Sequence, residues 1–178
     1  MRLIITSDTH GNTGVLEKLT GFLKADDFLV HLGDFTRDFE KIQPQLAEKG
    51  IRNANVNGNC DYHGPGPYKK IVLSGKSIGL VHGHLQGVNS TLVTLDLFAQ
   101  EKELDVILFG HTHISKIEYG STGILMMNPG SMSEPRLGKA SFGVIVIEDG
   151  ILKPRIVTVD DMERYFEYQT EDTGDTEN

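Results

Sequence analysis

The segment Leu3-Ile4-Ile5-Thr6-Ser7-Asp8-Thr9-His10 is a strand-length apolar run that ends in metal-ligand residue types. Four more segments repeat this pattern, with polar residues directly after a short apolar run. The five polar clusters are Asp8-Thr9-His10, Gly33-Asp34, Gly58-Asn59-Cys60-Asp61, His82-Gly83-His84 and Gly110-His111-Thr112-His113. Open α/β sheets bind ligands beyond the carboxyl ends of their strands, so we expect the five clusters to converge at one sheet edge.

The order of predicted elements alternates between strand and helix as far as residue 109. Strands are predicted at 3–6, 27–32, 52–56, 69–73, 77–82 and 105–109. Helices are predicted at 15–24, 38–48 and 90–102, with Thr13 as a candidate cap of the first. Beyond residue 114, strands at 115–119, 123–127, 141–148 and 151–159 follow one another without a helix. The predicted fold class is α/β, a two-layer mixed β-sandwich flanked by helices, whose second half becomes antiparallel.

The chain is expected to form one domain over residues 1–160, followed by an acidic C-terminal tail over 161–178. With 178 residues it is long enough to bury a core without disulfides or a structural metal. The tail begins with a predicted short helix at 161–168. The polar segment from Thr170 to Asn178 has no apolar residue to bury, so we expect it to be disordered.

The composition limits the cellular compartments and the classes of binding partner that we expect. A single cysteine, Cys60, suits a reducing compartment. Because the apolar stretches are strand-length and no basic leader precedes them, we predict a cytoplasmic protein without a membrane partner. Acidic residues outnumber basic ones, 25 to 17, which disfavours long nucleic acid but not a small phosphate ester that reaches a bound metal. Whether the chain forms a homo-oligomer is left open.

The clusters together offer seven metal ligands: Asp8, His10, Asp34, Asn59, His82, His111 and His113. Oxygen and imidazole ligands in one site suit first-row transition ions, with Mn as first choice and Ni, Fe, Co or Zn as alternatives. Seven ligands exceed what one ion needs, so we predict two divalent ions that share a bridging carboxylate. Two ions about 3.5–4 Å apart can hold a bridging hydroxide for in-line attack on a phosphate ester.

The five clusters resemble, in order and spacing, the sequence blocks of calcineurin-like metallophosphoesterases. The segment Asn128-Pro129-Gly130-Ser131, with Glu134-Pro135-Arg136 after it, is similar to the small bacterial and archaeal phosphodiesterase branch. This resemblance covers about residues 1–158 and implies a metal-dependent phosphodiesterase that acts on a small phosphate ester. It also implies one ion held by Asp8, His10 and His113, a second held by Asn59, His82 and His111, and a bridge formed by Asp34.

Four residues are expected to act directly in the chemistry: Asp34, Asn59, His82 and Asp61. Asn59 can bind an ion through its carbonyl oxygen without adding charge, and we expect Asp61 to hold its amide group. Asp34 is the only carboxylate of its cluster, directly after a strand and a glycine, which favours it as the bridge. Glycines beside the ligands would let the backbone turn sharply towards the ions.

Cys60 departs from the pattern of the wider family, in which many members have a histidine that is assigned to protonate the leaving group. A thiol beside metal ions is a poor general acid. We therefore expect the cysteine to narrow the range of substrates rather than abolish activity, and the leaving-group acid is left open.

Three further histidines have different expectations. His31 lies inside an apolar strand and is expected to be a hydrogen-bonded core residue. His84 is open between two alternatives, because strand parity points it away from His82 whereas the resemblance places it near the metals. His63, in a loop rich in Gly and Pro, is expected to be exposed, with a lid residue as the alternative.

Two rival functions remain. A retromer subunit has the same fold with weakened metal chemistry and binds other proteins, so a non-catalytic scaffold is the alternative to the enzyme. The complete set of ligands argues against that scaffold. A nuclease for long DNA or RNA would need a basic surface, and the sequence has no run of Lys and Arg.

Overall fold

The structure is a computed structural model, which describes residues 1–171. The strands are β1 (Arg2–Thr6), β2 (Phe28–His31), β3 (Arg52–Asn55), β4 (Tyr68–Leu73), β5 (Lys76–Val81), β6 (Val106–Leu108), β7 (Lys116–Tyr119), β8 (Leu125–Asn128), β9 (Ser141–Glu148) and β10 (Ile151–Thr158). The α-helices are α1 (Thr13–Phe22), α2 (Thr36–Glu48), α3 (Val93–Glu101) and α4 (Met162–Glu171). Most of the polar segment that is predicted to be disordered, from residue 172 on, lies outside the described residues.

The strands form two five-stranded sheets, ordered β10-β9-β1-β2-β3 and β4-β5-β6-β8-β7. In the first sheet β1, β2 and β3 are parallel, and β9 and β10 run antiparallel to their neighbours. The second sheet has parallel β5, β6 and β8 between antiparallel edge strands. The predicted mixed α/β sandwich is therefore confirmed. One detail differs, because β8 lies parallel to β6, so the second half of the chain is not purely antiparallel.

Apolar residues alternate between the two faces of each sheet. Leu3 and Ile5 of β1 point into the space between the sheets, where they join Leu80, Leu108 and Met127 in one buried cluster. The outer face of the first sheet is covered by α1, α2 and α4, and that of the second by α3. Because both faces are buried, the central strands are continuously apolar, which is the pattern that the sequence shows.

Two helix starts differ from the prediction. Helix α1 begins at Thr13, whose hydroxyl donates to Asp38 Oδ1 at 3.2 Å instead of capping the helix, so the predicted cap is wrong. Helix α3 begins at Val93 rather than at residue 90, and the hydroxyl of Thr91 accepts a hydrogen bond from the Val93 N–H. Such local side-chain bonds compete with the first turn of a helix.

The predicted C-terminal helix is present as α4, and its inner face is buried. Met162 and Phe166 are 0% and 4% exposed, and the Phe166 ring stacks on Phe22 at 5.3 Å between centroids. Arg2 lies over the Phe166 ring and also forms a bidentate ion pair with Asp27. Helix α4 thus contributes to the core packing of the first sheet, and the domain boundary at residue 160 stays a prediction.

Contacts between the sheets bring the ends of five strands to one edge. His82, just after β5, bonds through Nδ1 to the carbonyl of Leu32, just after β2, at 2.8 Å. The N–H of Gly110, after β6, donates to the carbonyl of His82 at 2.9 Å. The first bond joins the two sheets at their carboxyl ends, and the second joins neighbouring strand ends of the second sheet, where the predicted ligands lie. Within residues 1–171, no helix is both long and apolar enough to cross a membrane.

His31 is a hydrogen-bonded core residue, as predicted. Its Nδ1 lies 3.1 Å from the hydroxyl of Thr6, and its ring stacks on Phe39 at 5.4 Å. The side chain is fully buried, and burial lowers its pKa to about 4 from 6.5. The imidazole is therefore neutral in the folded protein.

Removing the Phe166 ring should lower the free energy of unfolding by about 3 kcal/mol, because Phe166→Ala leaves a cavity under α4. Tyr168→Ala is the matched control, since Tyr168 is on the same helix and 66% exposed. We expect this control to change stability by less than about 0.5 kcal/mol. Urea unfolding of both variants measures the difference, and equal effects would contradict the packing of α4.

His31 should make stability depend on pH. Between pH 6.5 and 4 the unfolded chain binds a proton that the folded protein does not, so stability falls as the pH falls through this window. The loss amounts to at most about 3 kcal/mol. In His31→Leu this pH dependence of the unfolding free energy should be absent. The substitution can also change stability by an amount that is the same at every pH. Identical slopes of unfolding free energy against pH in both proteins would refute a neutral buried His31.

Candidate metal centre

Four of the predicted ligands form a compact cluster at the carboxyl ends of the strands. One ligand atom from each of Asp8, His10, Asp34 and His113 lies within 4.8 Å of the others. Asp8 and Asp34 are buried, at 0% and 3% exposure. Buried carboxylates are uncommon unless they are paired or bind a metal. The cluster is a metal-binding site built from Asp and His residues.

Backbone carbonyls orient two of the imidazoles. His113 donates from Nδ1 to the carbonyl of Glu134 at 2.7 Å, and His82 donates from Nδ1 to Leu32. A carbonyl can only accept, so in the neutral imidazole the Nε2 atom carries a lone pair and faces the cluster. This is the arrangement by which proteins fix the tautomer of a metal-binding histidine.

The acceptors that face each other leave room for a cation. His113 Nε2 lies 3.2 Å from His10 Nε2 and 3.2 Å from Asp8 Oδ1. Asp8 Oδ1 is buried and has no hydrogen-bond partner among the described residues. Orphaned acceptors are costly in a protein interior, and a divalent cation would satisfy all three atoms at once. The residues present therefore fit a metal ion.

A second group of predicted ligands surrounds His82. Its Nε2 lies 3.1 Å from Asn59 Oδ1 and 3.4 Å from Asp34 Oδ1. The His111 ring lies 5.1 Å from that of His82, but its Nε2 faces the amide of Asn89 at 2.9 Å. Asn89 was not singled out in the sequence. All seven predicted ligands thus lie around one edge, with Asp34 between the two groups.

The carboxylates are held in their charged form. Burial disfavours charge on Asp34, but its contact with His82 and the backbone N–H of Cys60 outweigh burial and lower its pKa. Burial likewise opposes charge on Asp8, and the contact with His113 and the charge of His82 lower the pKa of Asp8. The pKa of His113 is raised chiefly by its contact with Asp8.

Five of the seven predicted ligands lie in the left-handed region of backbone conformation. The φ angles are 54° at Asp8, 46° at His10, 56° at Asp34, 67° at His111 and 56° at His113. This conformation costs about 1–3 kcal/mol for a residue with a side chain, and such strain is concentrated at functional sites. The strain follows from the need to turn the chain within one or two residues of a strand end.

Two glycines are required by close approach to the site. A Cβ atom on Gly58 would collide with the carboxylate and N–H of Asp34, and one on Gly110 would collide with Ser7 Oγ. The expectation that glycines let the backbone approach the ligands is met at these positions.

Asp61 has a different role from the expected one. Its carboxylate accepts hydrogen bonds from the N–H groups of Asp34 at 2.9 Å, Thr36 at 2.8 Å and Gly58 at 2.8 Å. The side-chain amide of Asn59 instead lies 3.4 Å from Cys60 Sγ. The prediction that Asp61 holds the amide of Asn59 is therefore wrong, because the three backbone N–H groups occupy its carboxylate.

Asp38 was missed in the sequence. Its buried carboxylate accepts from the hydroxyl of Thr9 at 2.9 Å, from the N–H of Gly11 at 2.8 Å and from the hydroxyl of Thr13. These bonds fix the first ligand loop. An Asp in the first turn of a helix is common, so its sequence position carried no signal for this role.

Two residues of the Asn128-Pro129-Gly130-Ser131 segment also support the ligand loops. The Asn128 amide donates to the carbonyl of Gly110 at 2.7 Å, and the Ser131 hydroxyl donates to the carbonyl of Asp8 at 2.7 Å. The resemblance singled out this segment without giving it a role.

The remaining polar residues lie at the rim. Cys60 is an exposed residue, but partial burial of its thiol and the neighbouring Asp34 raise the pKa of the thiol to about 11. His84 lies in the 3₁₀ turn after β5, so strand parity does not apply, and its ring is 5.4 Å from that of His82. Of the two alternatives for His84, the structure thus favours a position near the site. His63 is exposed.

Two cavities with different linings lie near the ligands. One, of about 550 Å³, is lined by Asn59 and Cys60 together with residues from the start of α2. The other, of about 460 Å³, is lined by Asn89, Thr112 and Arg136, next to His111 and His113. The two linings share no residue. Each cavity has a volume typical of a small-molecule site.

This fold and site define a class of protein, a mixed β-sandwich with an Asp/His metal site at its strand ends. A sequence model of the calcineurin-like phosphoesterase superfamily domain matches residues 1–150. The probable metallophosphoesterase YsnB of Bacillus subtilis is 34% identical over 152 residues, which are 84% of this chain and 86% of that protein. The chain belongs to the calcineurin-like phosphoesterase superfamily.

Solved structures agree with this family. A conserved uncharacterized protein from Streptococcus pneumoniae, described as a predicted phosphoesterase, has a TM-score of 0.77 at 29% identity and covers 89% of this chain and 90% of that one. An archaeal phosphodiesterase has a TM-score of 0.68 at 19% identity, with 88% and 100% covered. Zinc-bound Vps29 from Entamoeba histolytica has a TM-score of 0.66 at 20% identity, with 89% and 99% covered. The last two show likeness of fold alone.

Adding a methyl group at Gly58 should disrupt the metal centre, because it displaces the carboxylate of Asp34. We expect Gly58→Ala to weaken Mn²⁺ binding by on the order of 100-fold, the upper end for residues that support ligands. Gly21→Ala is the control, since a Cβ there meets open space in α1. Calorimetric titration with Mn²⁺ gives both affinities, and unchanged binding by Gly58→Ala would contradict the close approach.

Proposed function

We propose that this protein is a two-metal phosphodiesterase that hydrolyses a small phosphate ester by in-line attack. The position of Asp34 carries the proposal. Its Oδ2 lies 3.9 Å from His10 Nε2, and its Oδ1 lies 3.4 Å from His82 Nε2. One carboxylate thus presents a separate oxygen to each of two ligand groups, which supports the proposal that Asp34 would bridge two ions.

The ligands divide into two sets on either side of this bridge. Asp8, His10 and His113 would hold one ion, and Asn59, His82 and His111 would hold the other. When bound, two divalent ions supply Lewis acidity and a water of lowered pKa at the phosphoryl centre. Mn fits the mixture of oxygen and imidazole ligands first, with Ni, Fe, Co or Zn as alternatives.

The charge of the ligand set favours an anionic substrate. Only Asp8 and Asp34 among the seven ligands are carboxylates, so they offset half of the charge of two divalent ions. The site would therefore be positive within a protein whose formal charge is −8. The bound ions would therefore attract a phosphate diester, although the overall charge of the chain is negative.

The two cavities favour a diester over a monoester. A diester has two substituents, and a substituent on each side of the phosphate can occupy the Asn59 cavity or the Arg136 cavity. Arg136 is joined to the metal site by its backbone N–H, which donates to the carbonyl of His113 at 3.1 Å. The chain's own groups would thus orient both ends of the substrate while the ligands fix its centre.

Asn59 lies at the opening, where the substrate would replace solvent, and its Oδ1 is 3.1 Å from Nε2 of His82 behind it. Asn59 is exposed, whereas the His82 side chain is buried and fixed by Leu32. We propose that His82 and Asp34 would hold the reacting geometry and that Asn59 would help to hold the ion and contact the incoming ester. The catalytic unit in this proposal spans residues 1–160.

A protein-binding scaffold of the same fold is the competing function. It would not need seven ligand-type residues at one edge, nor strained backbone at five of them, because strain of this kind reduces stability without a benefit for packing. The retained strain favours the enzyme.

Hydrolysis of a chromogenic phosphate diester in the presence of Mn²⁺ tests the proposal, together with metal analysis. The wild-type protein should bind two ions per chain and turn over the diester. Asp34→Ala should lose both ions and slow turnover by more than about 100-fold, whereas His113→Ala should weaken chiefly one ion. Two ions retained in Asp34→Ala would falsify the bridge.

Asp26→Ala serves as the control for this experiment. Asp26 is an exposed carboxylate just before β2, at the edge of the sheet away from the ligands. We expect its metal content and rate to equal those of the wild type. If the wild-type protein itself shows no turnover with any divalent ion, the result contradicts the proposed phosphodiesterase and favours the scaffold.

A further inference from the structure

The Asn59 cavity differs chemically from the Arg136 cavity. It is lined by Phe35, Arg37, Cys60, Tyr62 and His63 as well as Asn59. The Arg136 cavity has one aromatic residue in its lining, Phe109, which is only 1% exposed. Aromatic surfaces that a ligand can reach are therefore concentrated on the Asn59 side, whereas each cavity has one guanidinium, Arg37 or Arg136.

Phe35 directly follows the bridging candidate Asp34, and its backbone is held in the left-handed region at φ 71°. For a bulky residue this conformation is a true outlier, which persists only where the surrounding structure maintains it. The result is that the ring stands beside the metal centre, 5.1 Å from the ring of His10.

Arg37 lies over this ring, with its guanidinium carbon 4.5 Å from the ring centroid. Its side chain is exposed, and no carboxylate among the described residues lies within ion-pair distance of it. Phe35 thus holds one side of a planar cation and leaves the other side open to the cavity. A guanidinium fixed in this way is a stacking surface for a flat ring.

Tyr62 lines the same cavity from the loop between β3 and β4. It is 95% exposed, although tyrosine usually buries much of its ring. Within residues 1–171 it has no ring contact and no hydrogen bond through its side chain. The loop that carries it is fastened where the N–H of Asn57 donates to the carbonyl of Gly66 at 2.8 Å. Two flat groups, Arg37 and Tyr62, therefore line a cavity that adjoins the ligand Asn59.

We infer that the Asn59 cavity binds a planar aromatic group of the substrate between Arg37 and Tyr62, so that the preferred substrates are phosphate esters with an aryl ring or a nucleobase. This inference rests on the proposed phosphodiesterase function and names the substrate class of that site. Stacking on Arg and aromatic side chains recognises flat rings without regard to their hydrogen-bonding groups, so aryl and heteroaryl rings share the required chemistry.

Binding of phosphonates tests the inference without turnover, because their carbon–phosphorus bond is not an ester. Phenylphosphonate and methylphosphonate have the same anionic head and differ in the ring. The Mn²⁺-loaded wild-type protein should bind phenylphosphonate about 10-fold more tightly, as calorimetric titration measures. Arg37→Ala combined with Tyr62→Ala should reduce this ratio to below about 3-fold. Loss of the Arg37 charge should lower the affinities for both phosphonates by the same factor, so the ratio reports on the ring alone.

Arg52→Ala is the matched control, since Arg52 also lies over a phenylalanine ring, that of Phe28, at 5.6 Å. That pair is at the amino ends of β2 and β3, the edge away from the ligands. The control should keep the full preference for phenylphosphonate. Equal affinity of the wild type for both phosphonates, or a preference that survives in the double variant, would overturn the inference.

A second pair of ligands identifies the kind of ring. The ratio of affinities for adenosine monophosphate and ribose 5-phosphate measures the contribution of a nucleobase. The ratio for the two phosphonates measures the contribution of an aryl group. A larger ratio for the nucleotide pair supports a nucleobase, and a larger ratio for the phosphonate pair supports an aryl ring. If the wild type prefers rings but hydrolyses no diester, the inferred cavity stands while the proposed function fails.

Discussion

The constraint on which this structure depends is the burial of carboxylate and imidazole ligands where the strands of two sheets end. Asp8, Asp34 and His82 are almost fully buried, and their acceptor atoms face one another. A cation relieves the cost of this arrangement, so metal binding and stability of the site are coupled. Each ligand must also follow its strand within a few residues, since the neighbouring strand ends lie within hydrogen-bonding distance. The left-handed backbone at Asp8, Asp34 and His113 is the consequence of that geometry.

Two carboxylates outside the ligand set hold this strained arrangement in place. Asp61 bonds the N–H groups of Asp34, Thr36 and Gly58, so it joins two ligand clusters and the start of α2. Asp38 bonds the loop after β1 from within α2. A charged acceptor makes stronger hydrogen bonds than a neutral one, and a helix start is a favourable place for negative charge. Helix α2 therefore connects the first three ligand clusters through its first turn.

Sequence patterns predicted the strand ends, the mixed sandwich and the position of the ligand clusters, because each of these follows from local apolar runs and the residues directly after them. The support provided by Asp38 could not be predicted, since it depends on bonds to residues 25–29 positions earlier, whose direction only the packing of α2 sets. The expected bond from Asn59 to Asp61 was wrong for the same reason: proximity in sequence does not show that backbone N–H groups occupy the carboxylate. The parallel pairing of β8 with β6 likewise depends on non-local contacts.

Residues around the metal centre differ in how firmly they are held. The buried histidine ligands are fixed, whereas the residues that would select the substrate are exposed. His82 and His113 are fixed by backbone carbonyls at 2.8 and 2.7 Å, and both are largely buried. Asn59, Cys60 and Tyr62 are exposed in a loop between β3 and β4. Loops on a rigid scaffold are where binding specificity is usually placed. In the proposed function, Cys60 in this loop would form part of the surface that meets the substrate, and it lies outside the set of buried ligands. Under this proposal, substrate range can therefore vary with the exposed residues Cys60, Tyr62 and His63, which are not among the seven proposed ligands.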